Sequence, residues 1–385
     1  MQILRYDELT WPQVAALPRH LPLLIPLGLD DYDIPSAIRR LKADAVVLLP
    51  AIPYGLPRPK VGLLGQLAVS PRLRRRLLRA VQRGLLEQAF EHVVFLADRE
   101  LVRSLADERL RLLATRSLAP SFPPMPTGLA GKIIVVSLGH TEQHGHHLPL
   151  GTDTFIIQAL ADGLAAAAPD EVVCLPAWPY GVSTHTREFP GTLDIGGRLF
   201  EDFFLAIVAR LAALGAQMVY FSNAHGGNHS FLVNVVKWAG ERWAAMFVAT
   251  EWLHTTGPAL ERLRQSQLGG MGHGGELETS YLLHLRPDLV QMDKARIETD
   301  FISTPNFYMD WIEGGRLIAN PPWGDDTRSG IYGDATLATA DRGRRWLEAA
   351  VEERLESLRE IRQQYERRMA HRRARAHRDV AGRSR

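Results

Sequence analysis

Leu138-Gly-His-Thr-Glu142-Gln-His144-Gly-His146-His147-Leu-Pro-Leu-Gly-Thr-Asp153 follows directly on the apolar run Lys132-Ile-Ile-Val-Val-Ser-Leu138. The run is short, rich in β-branched residues and ended by Gly139, which predicts a buried strand of a parallel sheet. The string after it places two carboxylates and three histidines in the twelve residues from Glu142 to Asp153. Such a loop would lie at the carboxyl end of the strand, the edge where open α/β sheets build their active sites. Imidazoles and carboxylates gathered there suit a metal centre that performs hydrolysis.

Two further stretches repeat the arrangement. Ala216-Gln-Met-Val-Tyr-Phe-Ser222 reads as another strand and opens into Asn223-Ala-His225-Gly-Gly-Asn228-His229. In Gly270-Met-Gly-His273-Gly-Gly-Glu276-Leu-Glu278-Thr-Ser280, small residues let the backbone pass close to something before a helix begins. Glu142 and His144 are two apart on an extended loop, so their side chains point to opposite sides and could each serve a different ion. Asp153 stands just before the helical pattern that starts at Phe155, where the helix dipole favours an ionised carboxylate. Alone it would be an ordinary helix cap. Beside the other loops it could bridge two cations, with His225 completing one and a glutamate of the third loop the other. Two divalent ions so placed would hold a bridging hydroxide and polarise a carbonyl. Glu278 is the expected glutamate; Glu276, roughly 200° away around a helix, is the alternative that cannot share its role. Zinc, manganese and iron(II) all fit this donor set.

These residues carry a family resemblance. Glu142-Gln-His144-Gly-His-His-Leu-Pro-Leu-Gly-Thr-Asp153, Phe189-Pro-Gly-Thr192, Asn223-Ala-His225-Gly-Gly-Asn228, His273-Gly-Gly-Glu-Leu-Glu278-Thr-Ser280 and the closing Gly333-Asp-Ala-Thr-Leu-Ala-Thr-Ala-Asp-Arg-Gly-Arg resemble the creatininase (creatinine amidohydrolase) family, in order, from about residue 130 to 365. The resemblance implies a three-layer α/β/α sandwich with a mostly parallel sheet. It makes Glu142, His144, Asp153 and His225 metal ligands and His273 the proton donor to the leaving nitrogen. Some relatives place a glutamate two residues after the histidine matching His225, where this chain has Gly227. The family spans cyclic-amide hydrolases, a formamide hydrolase and a peptide-trimming enzyme of cofactor maturation. The expected activity is therefore binuclear-metal hydrolysis of a carbon–nitrogen bond in a small-molecule amide. A formamide hydrolase or short-peptide amidase is the rival within the family, and a catalytically dead, metal-stabilised binding or scaffold protein the rival outside it.

The loop Gly181-Val-Ser-Thr-His185-Thr-Arg187-Glu188-Phe-Pro-Gly-Thr192 is the most individual. His185, Arg187 and Glu188 are the expected substrate contacts, against the plainer reading of an exposed salt bridge between neighbours. His146 and His147 are expected to brace the ligand loop, and His229, His254 and His284 to be surface or core residues. Trp178, Trp311 and Trp323 either wall a pocket or simply pack.

The first 118 residues echo the rest. Leu49-Pro-Ala-Ile-Pro-Tyr-Gly55 differs at one position of seven from Leu175-Pro-Ala-Trp-Pro-Tyr-Gly181, and Leu24-Ile-Pro-Leu-Gly28 stands where Val136-Ser-Leu-Gly139 does. From Gly28 to Gly55 the chain is 15 residues shorter than from Gly139 to Gly181, a gap that falls on the ligand loop. Residues 1–118 therefore read as a degenerate half-copy without ligands. A Pro-rich linker over 119–128, a catalytic domain over 129–366 and a basic, disordered tail over 367–385 follow.

With 385 residues and 46% hydrophobic content the chain can bury a large core. The single Cys174 excludes an internal disulfide. No leading signal or membrane-length apolar run is read, so a cytoplasmic enzyme without a membrane partner is expected. A net charge of only +2, with no interleaved aromatics, argues against nucleic acid. The resemblance also implies a homo-oligomer.

Overall fold

Five strands, all parallel to their neighbours, form the first sheet: β1 (Gln2–Arg5), β2 (Leu23–Pro26), β3 (Ala45–Leu48), β4 (Val93–Ala97) and β5 (Leu112–Ala114), in the order β1-β3-β2-β4-β5. Four more form the second: β6 (Ile133–Leu138), β7 (Val172–Trp178), β8 (Met218–Asn223) and β9 (Phe247–Trp252), in the order β9-β8-β6-β7. These come from a computed structural model that describes residues 2–57, 62–105, 109–120, 128–253 and 257–383. All six residues of β6 are buried, as its unbroken apolar run requires of a strand covered on both faces.

Alternation along the strands divides the core. Ile134, Val136, Val219 and Phe221 face the helices α1 (Pro71–Glu87), α3 (Gly197–Ala213) and α4 (His229–Arg242), in one cluster that also takes in Leu23, Ile25, Val93 and Phe95 of the first sheet. Ile133, Val135, Met218 and Tyr220 face the opposite way, onto Leu164 of α2 (Thr152–Ala167) and Leu358 and Ile361 of α6 (Ala340–Arg383). The outer face of the first sheet is closed by Ala37 and Ile38. Each sheet is thus covered on both faces, and the middle helical layer is common to both. A last helix, α5 (Glu276–Leu285), lies between α2 and α6.

Several sequence expectations change. Helix α6 continues through Arg383 instead of giving way to a disordered tail at 367. Its stretch holds no proline, is rich in Arg, Glu and Ala, and begins with the pairs Arg344–Asp341 and Arg344–Glu348. Most of the expected linker, 121–127, lies outside the described residues; before it, Ser117–Pro120 pairs antiparallel with Asp30–Tyr32. Asp153 lies inside the first turn of α2, two residues further in than the N-cap Gly151. Among the described residues no helix is long and apolar enough to cross a membrane.

Candidate metal centre

The ligand loop leaves β6 at Gly139, where any side chain would collide with the backbone of Thr154, so the glycine lets the start of α2 fold back onto the strand end. The Glu142 N–H donates to Leu150 O at 3.0 Å and closes the loop. Asn228 ties the neighbouring loops together: its amide donates to Gly139 O and its oxygen accepts the Val182 N–H. His225 is thereby delivered from the end of β8, and Glu278 and His273 from α5 and the turn before it.

Hydrogen bonds to the backbone fix which nitrogen of each imidazole is available. His225 Nε2 donates to Val182 O at 2.9 Å, leaving Nδ1 at 2.9 Å from Glu142 Oε2 and 3.2 Å from Asp153 Oδ2. His144 Nδ1 donates to Glu142 O at 3.0 Å, leaving Nε2 at 3.2 Å from Asp153 Oδ1 and 3.7 Å from Glu278 Oε2. Two nitrogen lone pairs therefore each face two carboxylate oxygens, with the oxygens of Asp153 divided between them. Neutral imidazoles would not rest there: a proton on each ring, or a cation in its place, has to offset the facing carboxylates. Glu142 Oε2 and Asp153 Oδ2 are buried with no aligned hydrogen-bond donor. Where the protons go agrees with this. Burial lowers the pKa of His225 and of His144, but the facing carboxylates overcome it, holding His225 well above its ordinary value and His144 at about 9. Burial raises Glu278 to about 8, whereas for Glu142 and Asp153 burial is outweighed by the histidines and both stay low. The donor set, its orphaned oxygens and its shared carboxylate fit divalent cations.

The surroundings hold this cluster still. Ser183 Oγ and Thr186 Oγ1 both donate to Glu142 Oε1, at 2.7 and 2.9 Å, so only Oε2 faces His225. His273 Nε2 donates to Gln143 O at 2.7 Å, its ring lies 4.1 Å from that of His144, and burial lowers it to about 3. His147 Nε2 is 2.9 Å from Thr279 Oγ1, a brace between the ligand loop and α5. Trp323 stands against both His185 and His273, with ring centroids 4.5 and 4.9 Å away. His185 itself comes within 3.7 Å of Glu142 Oε1.

Other candidates lie elsewhere. Arg187 is exposed and pairs with Asp194, not with Glu188, because the turn closed by Phe189 N–H to Thr186 O points it at solvent. Glu188 accepts the Gly324 N–H and so anchors the segment that carries Trp323. Trp178 is core, stacked on Phe203 and Tyr54, and Trp311 packs beside α5. Glu276 accepts the amides of Gln265 and Ser266 and faces Arg342, away from the centre. His229 packs on Trp252, and His254 lies outside the described residues. At Gly227 a Cβ would meet Val182 O and His225 Nε2, so the glutamate of some relatives has no room. Sequence reasoning missed Ser183, Thr186 and His140. His140 is buried and has one nitrogen within 4.8 Å of ligand atoms of Glu142 and His225. Its place two residues before Glu142 was the available signal.

Residues 127–358 match the creatininase family, described as creatinine amidohydrolase. The mycofactocin precursor peptide peptidase of Mycobacterium tuberculosis is 34% identical over 250 residues, 62% of this chain and 86% of that one. The creatinine amidohydrolase of Pseudomonas putida is 25% identical over 243 residues, 59% of this chain and 89% of that one. A solved structure of creatininase, "Creatininase Mn", superposes with TM-score 0.53 at 22% identity, over 61% of this chain and 92% of the other. With the family's motifs assembled at the carboxyl edge of the second sheet, the chain belongs to the creatininase family and is a hydrolase.

Proposed function

We propose that this protein hydrolyses a carbon–nitrogen amide bond of a small molecule with two divalent cations, one held by Glu142, His225 and Asp153, the other by His144, Asp153 and Glu278. The observation that carries the proposal is the pair of imidazole lone pairs aimed at shared carboxylate oxygens. Three carboxylates against two dications leave one positive charge in excess, which favours negative charge developing on the substrate's carbonyl oxygen. When bound, the ions supply an acidified water and polarisation of that carbonyl.

The chain's own residues do the rest. With Nε2–H committed to Gln143 O, the open nitrogen of His273 is Nδ1, the atom through which it would hand a proton to the leaving nitrogen. Trp323 screens His273 and His185 from water, and His185 Nε2 borders the space beside Glu142. The substrate is a cyclic or linear amide. A short-peptide amidase is the second reading, favoured by the likeness to a relative named as a precursor peptide peptidase. The retained ligand set speaks against a dead scaffold.

The test is a chelator-reversible activity screen over lactams, formamides and dipeptides, with metal analysis of the purified protein. His144→Ala is expected to lose metal and turnover together. His273→Ala should keep its metal while kcat falls about a hundredfold or more. If both variants match the parent, the scheme is wrong.

A further inference from the structure

We infer that residues 2–114 are a ligand-free copy of the catalytic unit serving as an in-chain subunit, whose Gln88 and Trp11 position the metal-ligand loop. This goes beyond the hydrolytic reading, since it concerns a part of the chain that supplies no ligand.

The correspondence runs deeper than strand order. Leu23 pairs with Val47 and Val93 in the first sheet, and Ile134 with Val173 and Val219 in the second, the same register in each case. At the carboxyl ends, Gly28 N–H donates to Ile52 O at 2.9 Å and Gly139 N–H to Trp178 O at 3.0 Å. Val69 N–H donates to Gly55 O as Ile195 N–H does to Gly181 O, at 3.2 and 3.1 Å. From β3 through β4 the equivalent positions are 126 residues apart, the offset between Gly55 and Gly181.

The two copies meet as the halves of a two-fold dimer would. Arg76 on α1 and Asp202 on α3, themselves 126 apart, pair with each other at 2.8 Å, as residues on a pseudo-two-fold axis must. The carbonyls of Gln66 and Thr192 are also 126 apart, and each accepts a side chain from the opposite half, Arg210 Nε at 3.0 Å and Gln88 Nε2 at 3.0 Å. Tyr54 and Tyr180, again equivalent, both reach across: Tyr54 stacks on Trp178, and Tyr180 OH donates to Pro50 O.

On the catalytic side these contacts end at the ligand loop. Gln88 Oε1 accepts the Gly191 N–H at 2.7 Å while its amide holds Thr192 O, and Thr192 Oγ1 in turn accepts the N–H of Gln143, the residue between Glu142 and His144. Trp11 Nε1 donates to Ser329 O at 2.8 Å, and the adjoining Gly330 O accepts the side-chain amide of Gln143. Further along the loop, Leu9 O and Asp7 O accept the amides of Leu150 and Gly151, both at 2.8 Å, just before Asp153. The half-copy therefore grips the loop near each of its ends, and Gln143, whose carbonyl also orients His273, receives two of the three grips.

The experiment uses the full chain with Gln88→Ala and, as a change that removes the indole N–H together with the five-membered part of the ring, Trp11→Phe. Thermal unfolding, zinc affinity by chelator competition, and hydrogen exchange at the Gln143 and Gly191 amides are compared with the parent. Expected are a folded protein, zinc affinity weakened about tenfold or more, and faster exchange at both amides in Gln88→Ala, with a smaller effect confined to Gln143 in Trp11→Phe. Exchange at the two amides does not depend on the hydrolytic reading, so the inference can fail or stand apart from it. Unchanged zinc affinity and exchange in both variants, whether or not the melting temperature falls, would overturn it.

Discussion

A histidine's hydrogen-bond partner decides what else the ring can do, and His140 is the instructive case. Its Nδ1 accepts the Gly181 N–H at 2.8 Å, so the ring proton of the neutral form sits on Nε2, and that nitrogen is buried without a partner. A protonated nitrogen cannot ligate. His140→Ala is therefore expected to keep the parent's metal content, and loss of one ion equivalent by metal analysis would contradict the tautomer. The opposite holds for His144 and His225, whose raised pKa values mean that each carries a proton at pH 7 until a cation takes its place. Zinc binding should then release about two or more protons near neutral pH, and apparent affinity should fall as the solution becomes more acidic. Calorimetric titration in buffers of different ionisation enthalpy measures this directly; a binding heat that does not vary with buffer would refute it. At this scale the candidate ligands could be picked out because imidazole and carboxylate announce their chemistry by type. Ser183 and Thr186 were not, since a hydroxyl gains its role only when folding sets it against Glu142 Oε1.

Elements were legible where burial alone dictates them. The β-branched run of β6 could hardly be anything but a covered strand, and its glycine stop located the functional edge. The end of α6 was misjudged because lack of apolar residues removes packing but not helix propensity. The same helix shows what pattern cannot convey, its closeness to α5. A Cβ on Gly343 would lie 1.9 Å from Ser280 O, on the helix that carries Glu278. In an isolated helix Gly→Ala stabilises by up to about 1 kcal/mol. Here the crossing must open, so Gly343→Ala is expected to destabilise by about 1–3 kcal/mol. Denaturant unfolding decides by sign, and a more stable variant would refute the tight crossing.

Across the whole molecule, the repeated Leu-Pro-Ala-x-Pro-Tyr-Gly string was readable in the sequence, whereas the way the two halves face each other was not, because Arg76 and Asp202 look like any other surface charges until the chain folds. The junction has a pH dependence of its own. Asp7, whose backbone holds Gly151, is raised to about 6, first by burial and then by Glu8, against the opposing effects of its backbone hydrogen bond, Arg5 and Arg286. Its unfolded carboxyl titrates near 4, so the folded state binds the proton more tightly, and stability falls as pH rises from about 4 to about 6. Asp7→Asn should remove that loss: relative to the parent its unfolding free energy should climb across this window, by at most about 3 kcal/mol, and then level off. A difference that does not vary with pH would show that Asp7 titrates normally. Finally, Trp178 sits in a core lined by both halves. A neighbour built into the same polypeptide cannot be lost to mass action, since its local concentration is set by the tether and not by the solution. Specific activity should consequently hold constant down to nanomolar enzyme, where a site completed by a separate chain would fade on dilution.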